Sequence, residues 1–321
     1  MKKKVLITGG AGFIGSHLAD KLVRLGKEVF VIDNLSTGSL SNIEDLTKSK
    51  NFHYLIDDVL NKTILEKLIK KVDTVIHLAA AVGVKYVIDN PLLSLETNII
   101  GTDNVLSIAN KHKKLVFLAS TSEIYGKNEK SSLKEDDDRI LGSTHISRWG
   151  YSASKAIDEF IALGYFREKK LPIIIGRFFN TVGPRQSERY GMVIPRFVKQ
   201  ALLNHPITVY GSGKQTRCFN YISDTVDAII GLINCPKAIG ETFNIGNTKE
   251  ISIKDLAKKI KSMAGSSSKI ICLPYEKAYE KGFEDMQRRV PGLAKIKRFI
   301  GYTPKVNLEQ LLTKTIKSFE K

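Results

Sequence analysis

The chain has 321 residues, 42% of them hydrophobic, with 50 Lys and Arg against 33 Asp and Glu, a formal charge of +17. That length and apolar content give one large domain or two closely joined ones. The basic residues are spread along the whole chain with no nucleic-acid recognition motif beside them, so phosphorylated small molecules are the expected partners and nucleic acid is not. Cys218, Cys235 and Cys272 lie far apart without C-x-x-C spacing, which argues against a zinc site or a disulfide framework and fits a reducing cytosol. The apolar run in "MKKKVLITGGAGFIG" is broken by glycines after Ile7, too early for a signal peptide. No later run is long enough for a membrane span, so a cytoplasmic protein without bound metal or membrane contact is expected.

In chain order, "KKVLITG", "EVFVID", "FHYLID", "DTVIHLAA", "KLVFLAS" and "LPIIIGRF" read as strands, β-branched and apolar on both faces. Helical patterns at 13–26, 62–71, 91–112 and 150–169 separate them. Such alternation predicts an α/β fold, a doubly wound parallel Rossmann sheet with right-handed helical crossovers. After about residue 180 the rhythm changes. "MVIPRFVKQALLN" reads as a helix, "PITVYG" and "CFNYIS" as short strands and "SDTVDAIIGLIN" as a helix. "ETFNIGN" then reads as a strand, and "SIKDLAKKIKSMAG" and "LEQLLTKTIKSFEK" as helices. The pattern predicts a smaller mixed α/β C-terminal lobe. Residues 1–178 with about 220–245 form the sheet domain, and 179–219 with 246–321 form the lobe.

Two clusters carry chemistry. "ITGGAGFIGSHLADKL" puts Gly9, Gly12 and Gly15 between a strand and a helix. There the backbone can approach a pyrophosphate whose charge meets free N–H groups at the helix start. Asp33 ends the second strand, 18 residues after Gly15. A carboxylate there accepts hydrogen bonds from ribose hydroxyls and repels a 2′-phosphate, which points to NAD over NADP. Asp58 follows the third strand, and "HLAA" at 77–80 should border the cofactor. Phe13, Ile14, Asn34, Val59, Leu78, Ala79, Ala80 and Asn98 complete the expected cofactor contacts.

In the second cluster, "WGYSASKAIDEF" places Tyr151 and Lys155 on one helical face. A phenol acting as a base near neutrality needs a pKa fall of about 3, roughly 4 kcal/mol. A lysine one turn away, with a positive nicotinamide nearby, shifts it in that direction. "LVFLASTSEIYG" ends a buried strand in Ser120, Thr121, Ser122 and Glu123, on the edge where ligands of such sheets bind.

The glycine start, "HLAA", the S-T-S-E strand end, Y-x-x-x-K and "RFFNTVGPR" together resemble the extended short-chain dehydrogenase/reductases. More narrowly, they resemble the NAD-dependent nucleotide-sugar epimerases, dehydratases and decarboxylases. That resemblance implies an enzyme that keeps its NAD, oxidises a UDP-hexose or UDP-uronate at C4, and is commonly a homodimer through the helices at 91–112 and 150–169. Tyr151 matches the base, Lys155 its partner on the nicotinamide ribose, and Thr121 the hydroxyl on the reacting oxygen. Asn180, Val193, Arg196, Tyr210, Arg217 and Arg289 match segments that clasp the nucleotide sugar.

For the second step, Thr121, Ser122 and Glu123 resemble UDP-glucuronate decarboxylases and GDP-mannose 4,6-dehydratases, the latter usually NADP-dependent. Dehydratases of the commonest type carry Asp where this chain has Ser122. "DRILGSTHISRWGYSASK", "GSGKQTRCF" and "YEKGFEDMQRRVP" are similar to segments of bacterial lipid A-modifying decarboxylase domains. In that alignment Arg289 is the catalytic acid or carboxylate partner, and Glu123 shares management of the C5 proton. Typical xylose-forming decarboxylases read R-K-P-D where this chain reads "RRVPG". UDP-glucuronate decarboxylation is the first expectation, with 4-epimerisation and 4,6- or 5,6-dehydration as alternatives. A non-catalytic NAD-sensing regulator is a distant third, since Tyr151 and Lys155 are both present.

Overall fold

The computed structural model describes residues 3–187, 192–275 and 286–320. Six parallel strands come from the first half: β1 (Lys4–Thr8), β2 (Glu28–Asp33), β3 (Phe52–Ile56), β4 (Thr74–His77), β5 (Leu115–Thr121) and β6 (Ile173–Phe178). The helices between them are α1 (Phe13–Arg24), α2 (Lys62–Lys71), α3 (Val84–Asp89), α4 (Pro91–Lys111) and α5 (Arg148–Lys169).

The second half contributes β7 (Thr181–Val182), α6 (Val193–Leu202), β8 (Ile207–Tyr210), β9 (Thr216–Cys218), β10 (Asn220–Tyr221) and α7 (Ile222–Ile233). It continues through β11 (Thr242–Ile245), β12 (Glu250–Ser252), α8 (Ile253–Met263), β13 (Ile270–Leu273), α9 (Ala294–Ile300) and α10 (Leu308–Phe319).

β11 returns to pair with β6, giving a seven-stranded parallel sheet in the order β11-β6-β5-β4-β1-β2-β3. The order reverses between β1 and β4, and that switch point opens a crevice at the carboxyl ends of the strands. β4, β5 and β6 are apolar and buried because both sheet faces are covered. On one face Leu18, Ala19 and Leu22 of α1 and Ile229 and Leu232 of α7 pack on Ile7, Phe117 and Phe243. On the other, Leu65 and Ile69 of α2, Val105 and Leu106 of α4 and Ala162 of α5 pack on Leu6, Val75 and Leu118. A third cluster joins Phe197 and Val198 of α6, Leu256 and Ile260 of α8 and Leu311 and Leu312 of α10.

Two expectations change. "CFNYIS" is two short pieces, because β9 pairs antiparallel with β12 while β10 pairs with β7. Residues 246–321, expected in the smaller lobe, do not all pack there: Ile296 of α9 and Tyr302 join the sheet cluster, where the Tyr302 hydroxyl donates to Gly246 O at 2.9 Å. Among the described residues no helix is long and apolar enough to cross a membrane, and no cluster of His, Cys, Asp or Glu could hold a metal ion.

Candidate active site

A cavity of about 480 Å³ runs along the carboxyl ends of the strands, from Gly9, Asp33 and Asp58 at one end to Arg196, Arg217 and Arg289 at the other. Its walls include every residue expected at the site except Asn98.

The glycine turn fits a dinucleotide. Gly9 has φ +72, and a Cβ there would lie 2.8 Å from the Ala79 backbone nitrogen. A Cβ on Gly15 would lie 2.2 Å from Gly9 O, so only glycine lets α1 start this close to β1. Gly12 caps α1 without a side-chain hydrogen bond, and the first turn has no acidic residue, which leaves its N–H groups for an anion. Asp33 accepts from Ala11 N at 2.9 Å and Leu35 N at 2.8 Å, anchoring its carboxylate at the ribose end. Burial pushes its pKa up, opposed by those backbone donors. The Asn34 amide donates to Asp58 at 2.7 Å, and Phe13, Ile14, Val59, Leu78, Ala79 and Ala80 supply apolar wall.

Asn98 does not line the cavity. It is buried behind the wall, accepts from Ala81 N at 2.8 Å and donates to Ser154 at 3.1 Å. Its amide thus ties the segment after β4 to α5, and the sequence cannot distinguish a buried tie from a ligand contact.

At the reacting end, Thr121 finishes β5 and its hydroxyl accepts from Glu123 N at 3.2 Å, which starts a short 3-10 turn and aims Ser122 and Glu123 into the cavity. Glu123 lies between two arginines. Arg148 Nη2 approaches at 3.1 Å and Arg289 Nη1 at 2.8 Å, while Arg289 also donates to Ser122 at 3.1 Å. Burial alone would raise the Glu123 pKa, but the two guanidinium groups outweigh it and hold the carboxyl at about 2. Such a carboxylate stays ionised and is a weak base. Its charge faces Arg148 and Arg289.

Tyr151 and Lys155 both face the cavity from α5. The Lys155 ammonium donates to Asp158 at 2.7 Å, so a carboxylate shares the lysine charge next to the phenol. Burial raises the Tyr151 pKa, the Glu123 and Asp158 charges add to this, and Thr121 and Arg289 oppose it.

On the far side, Asn180 donates to Cys218 O at 2.9 Å, and the Arg196 guanidinium stacks 3.8 Å above the Tyr210 ring. Arg217 and Val193 line the same wall. Sequence reasoning missed Arg148, Arg185, Gln215 and Tyr275, which also line the cavity. For Arg148 a signal existed: it stands three residues before Tyr151, on the same helical face.

A glycine-cradled crevice at the switch point of a parallel sheet, with Tyr151, Lys155 and Thr121 at its centre, defines a dinucleotide-dependent enzyme of the extended short-chain dehydrogenase/reductase class. The family model described as GDP-mannose 4,6 dehydratase matches residues 6–315, and the chain belongs to that family. It is 45% identical over 320 residues to a UDP-N-acetyl-alpha-D-glucosaminuronate decarboxylase of Bacillus cytotoxicus, covering 99% of this chain and 98% of the relative. It is 38% identical to UDP-glucuronic acid decarboxylase 1 of Xenopus tropicalis, covering 100% of this chain and 73% of the relative. Among solved structures, the UDP-glucuronic acid 4-epimerase of Bacillus cereus in complex with UDP-glucuronic acid and NAD superposes with a TM-score of 0.90. The identity is 30%, and 99% of each chain is covered. The protein is an NAD-dependent nucleotide-sugar enzyme.

Proposed function

We propose that the protein is a cytoplasmic UDP-hexuronate decarboxylase that oxidises its substrate at C4 and then releases the C5 carboxyl as carbon dioxide. The observation that carries this reading is the Arg148–Glu123–Arg289 cluster beside Tyr151 and Thr121, which gives a substrate carboxylate two guanidinium partners at the reacting end. Uronate decarboxylases among the relatives, matched along this whole chain, support it.

In this mechanism Tyr151 takes the C4 hydroxyl proton and Thr121 hydrogen-bonds the same oxygen. NAD, which Gly9, Gly12, Gly15 and Asp33 would hold, would supply reversible hydride transfer at C4. With C4 a ketone, the carboxylate is β to it, and the C5–C6 bond breaks with its electron pair passing to the C4 oxygen. Tyr151 and Thr121 stabilise the negative charge developing there. A proton from water then adds at C5 on the side where Ser122 and Arg289 converge, and Tyr151 returns its proton to the C4 oxygen as C4 is reduced.

Arg196 and Arg217 bind the diphosphate, Tyr210 and Val193 flank the uridine, and Asn180 holds the sugar end. Residues 1–178 hold the cofactor, and 179–219 with part of 246–321, Arg289 included, supply the nucleotide-sugar contacts. Two copies associate through α4 and α5, which pack side by side and expose Leu92, Leu93, Ile100, Ile157 and Phe160.

The test is incubation with UDP-N-acetylglucosaminuronate and with UDP-glucuronate, followed by mass spectrometry of the nucleotide sugar. Loss of carbon dioxide from either supports the reading. An isomer of unchanged mass would make the protein an epimerase, loss of water a dehydratase, and no change in either uronate would overturn decarboxylation.

A further inference from the structure

Tyr151, Lys155 and Asp158 follow one another at spacings of four and three, so they form a single stripe on α5. Lys155 stands between a phenol and a carboxylate, and in the structure its ammonium is given to the carboxylate at 2.7 Å. Asp158 is fully buried, with the Thr102 hydroxyl of α4 beside its carboxyl. A buried carboxylate is balanced chiefly by the charge beside it.

Among the described residues, Lys155 is the cation paired with it. The neighbouring element β4 offers His77, whose Nδ1 pairs with the Thr8 hydroxyl at 2.7 Å and Nε2 with the Thr102 hydroxyl at 3.2 Å. Burial and then the Lys155 charge hold His77 down to about 3, so it is neutral. Thr102 comes from α4 and contributes a hydroxyl near the Asp158 carboxyl, not a charge. On α5 itself Glu159 is engaged by Arg177 at 2.7 Å. Tyr151 is faced by Glu123 from the turn after β5, by Arg289 from the segment before α9, and by Arg148 and Asp158 from its own helix.

We propose that Asp158 is a positioning residue for the reaction: by holding the Lys155 ammonium, it sets how much of that charge reaches the Tyr151 phenol. The idea rests on the reading of Tyr151 as the C4 base, but not on which uronate is consumed or whether carbon dioxide is lost. Asp158 acts as a brake. With its carboxylate present, the lysine charge is compensated and phenolate is disfavoured. With that charge removed, Lys155 acts on Tyr151 uncompensated and phenolate forms at lower pH.

The experiment is Asp158→Asn, close to isosteric, with two readouts. The first is the ultraviolet titration of Tyr151 in the NAD-loaded protein, taken as the difference from the same protein carrying Tyr151→Phe. It needs no substrate and so stands even if the decarboxylation assay fails. The second is the pH profile of kcat/KM on whichever nucleotide sugar is turned over.

Both the Tyr151 titration and the acid limb of the profile should move to lower pH by about one pH unit. A residue that merely holds the helix together would lower activity or stability without moving either. An Asp158→Asn protein whose Tyr151 titration and acid limb coincide with wild type overturns the proposal. Should that variant not fold, Thr102→Val decides: it removes a hydroxyl that favours the ionised Asp158 and should move both readouts the same way by a smaller amount, and no movement overturns the proposal.

Discussion

The two ends of the crevice are built differently. The cofactor end is mostly backbone: a glycine turn, an uncapped helix start and one carboxylate fixed by main-chain N–H groups, all within residues 9–35. The reacting end is mostly charged side chain, with Arg148, Glu123 and Arg289 drawn from three separate segments. A backbone cradle is specific in shape and has no tolerance for an added methyl group. A charge cluster tolerates shape changes but depends on every partner being present and ionised.

Substitutions at the two ends should therefore fail in different ways. The largest effect is expected from Gly15→Ala, whose Cβ would fall 2.2 Å from Gly9 O. The purified protein should come without NAD, read from native mass spectrometry, and turnover should fall to background. If it kept its NAD, the view of this end as a rigid backbone mould would break.

Arg289→Ala comes next. It should keep NAD, yet lower kcat by about a hundredfold, because an electrostatic partner acting where charge develops is worth roughly that much. A rise in KM alone, with kcat unchanged, would reduce Arg289 to a uniform binding contact.

The smallest effect is on stability. The Glu123 carboxyl is held at about 2 against an ordinary 4.5. A depressed carboxyl contributes stability that is fully present above 4.5 and is lost as the pH falls toward 2. Wild type should thus resist urea better than Glu123→Gln at neutral pH, and the gap should close in acid. Equal midpoints at both pH values would show that the cluster matters for chemistry alone.

Much of the site could be read before folding was considered, for an identifiable reason. Gly9, Gly12, Gly15 and Asp33 lie within one βαβ unit, and Tyr151 and Lys155 within one helical turn, so their spacing alone places them together. Three residues show what spacing alone does not reveal. Asn98 has the polarity of a ligand contact but spends it on Ala81 and Ser154. Arg148 was within range of the Tyr151 pattern, but an arginine at the start of a helix is ordinarily a surface residue. Asp158 carries no sign of burial in the sequence, since only the fold brings α4 against it.

The sequence by itself determined the parallel sheet, the dinucleotide turn, the tyrosine–lysine pair and the acidic strand end at Thr121, Ser122 and Glu123. All of these are local patterns, set by periodicity, glycine sterics and spacing along one or two elements. Only the tertiary structure decided which charges meet. It put Arg289 against Glu123 across 166 positions of sequence and buried the Lys155–Asp158 pair. The reason is that an ionisable group's behaviour depends on burial and on its nearest charges, and both are fixed by packing between elements distant in the chain.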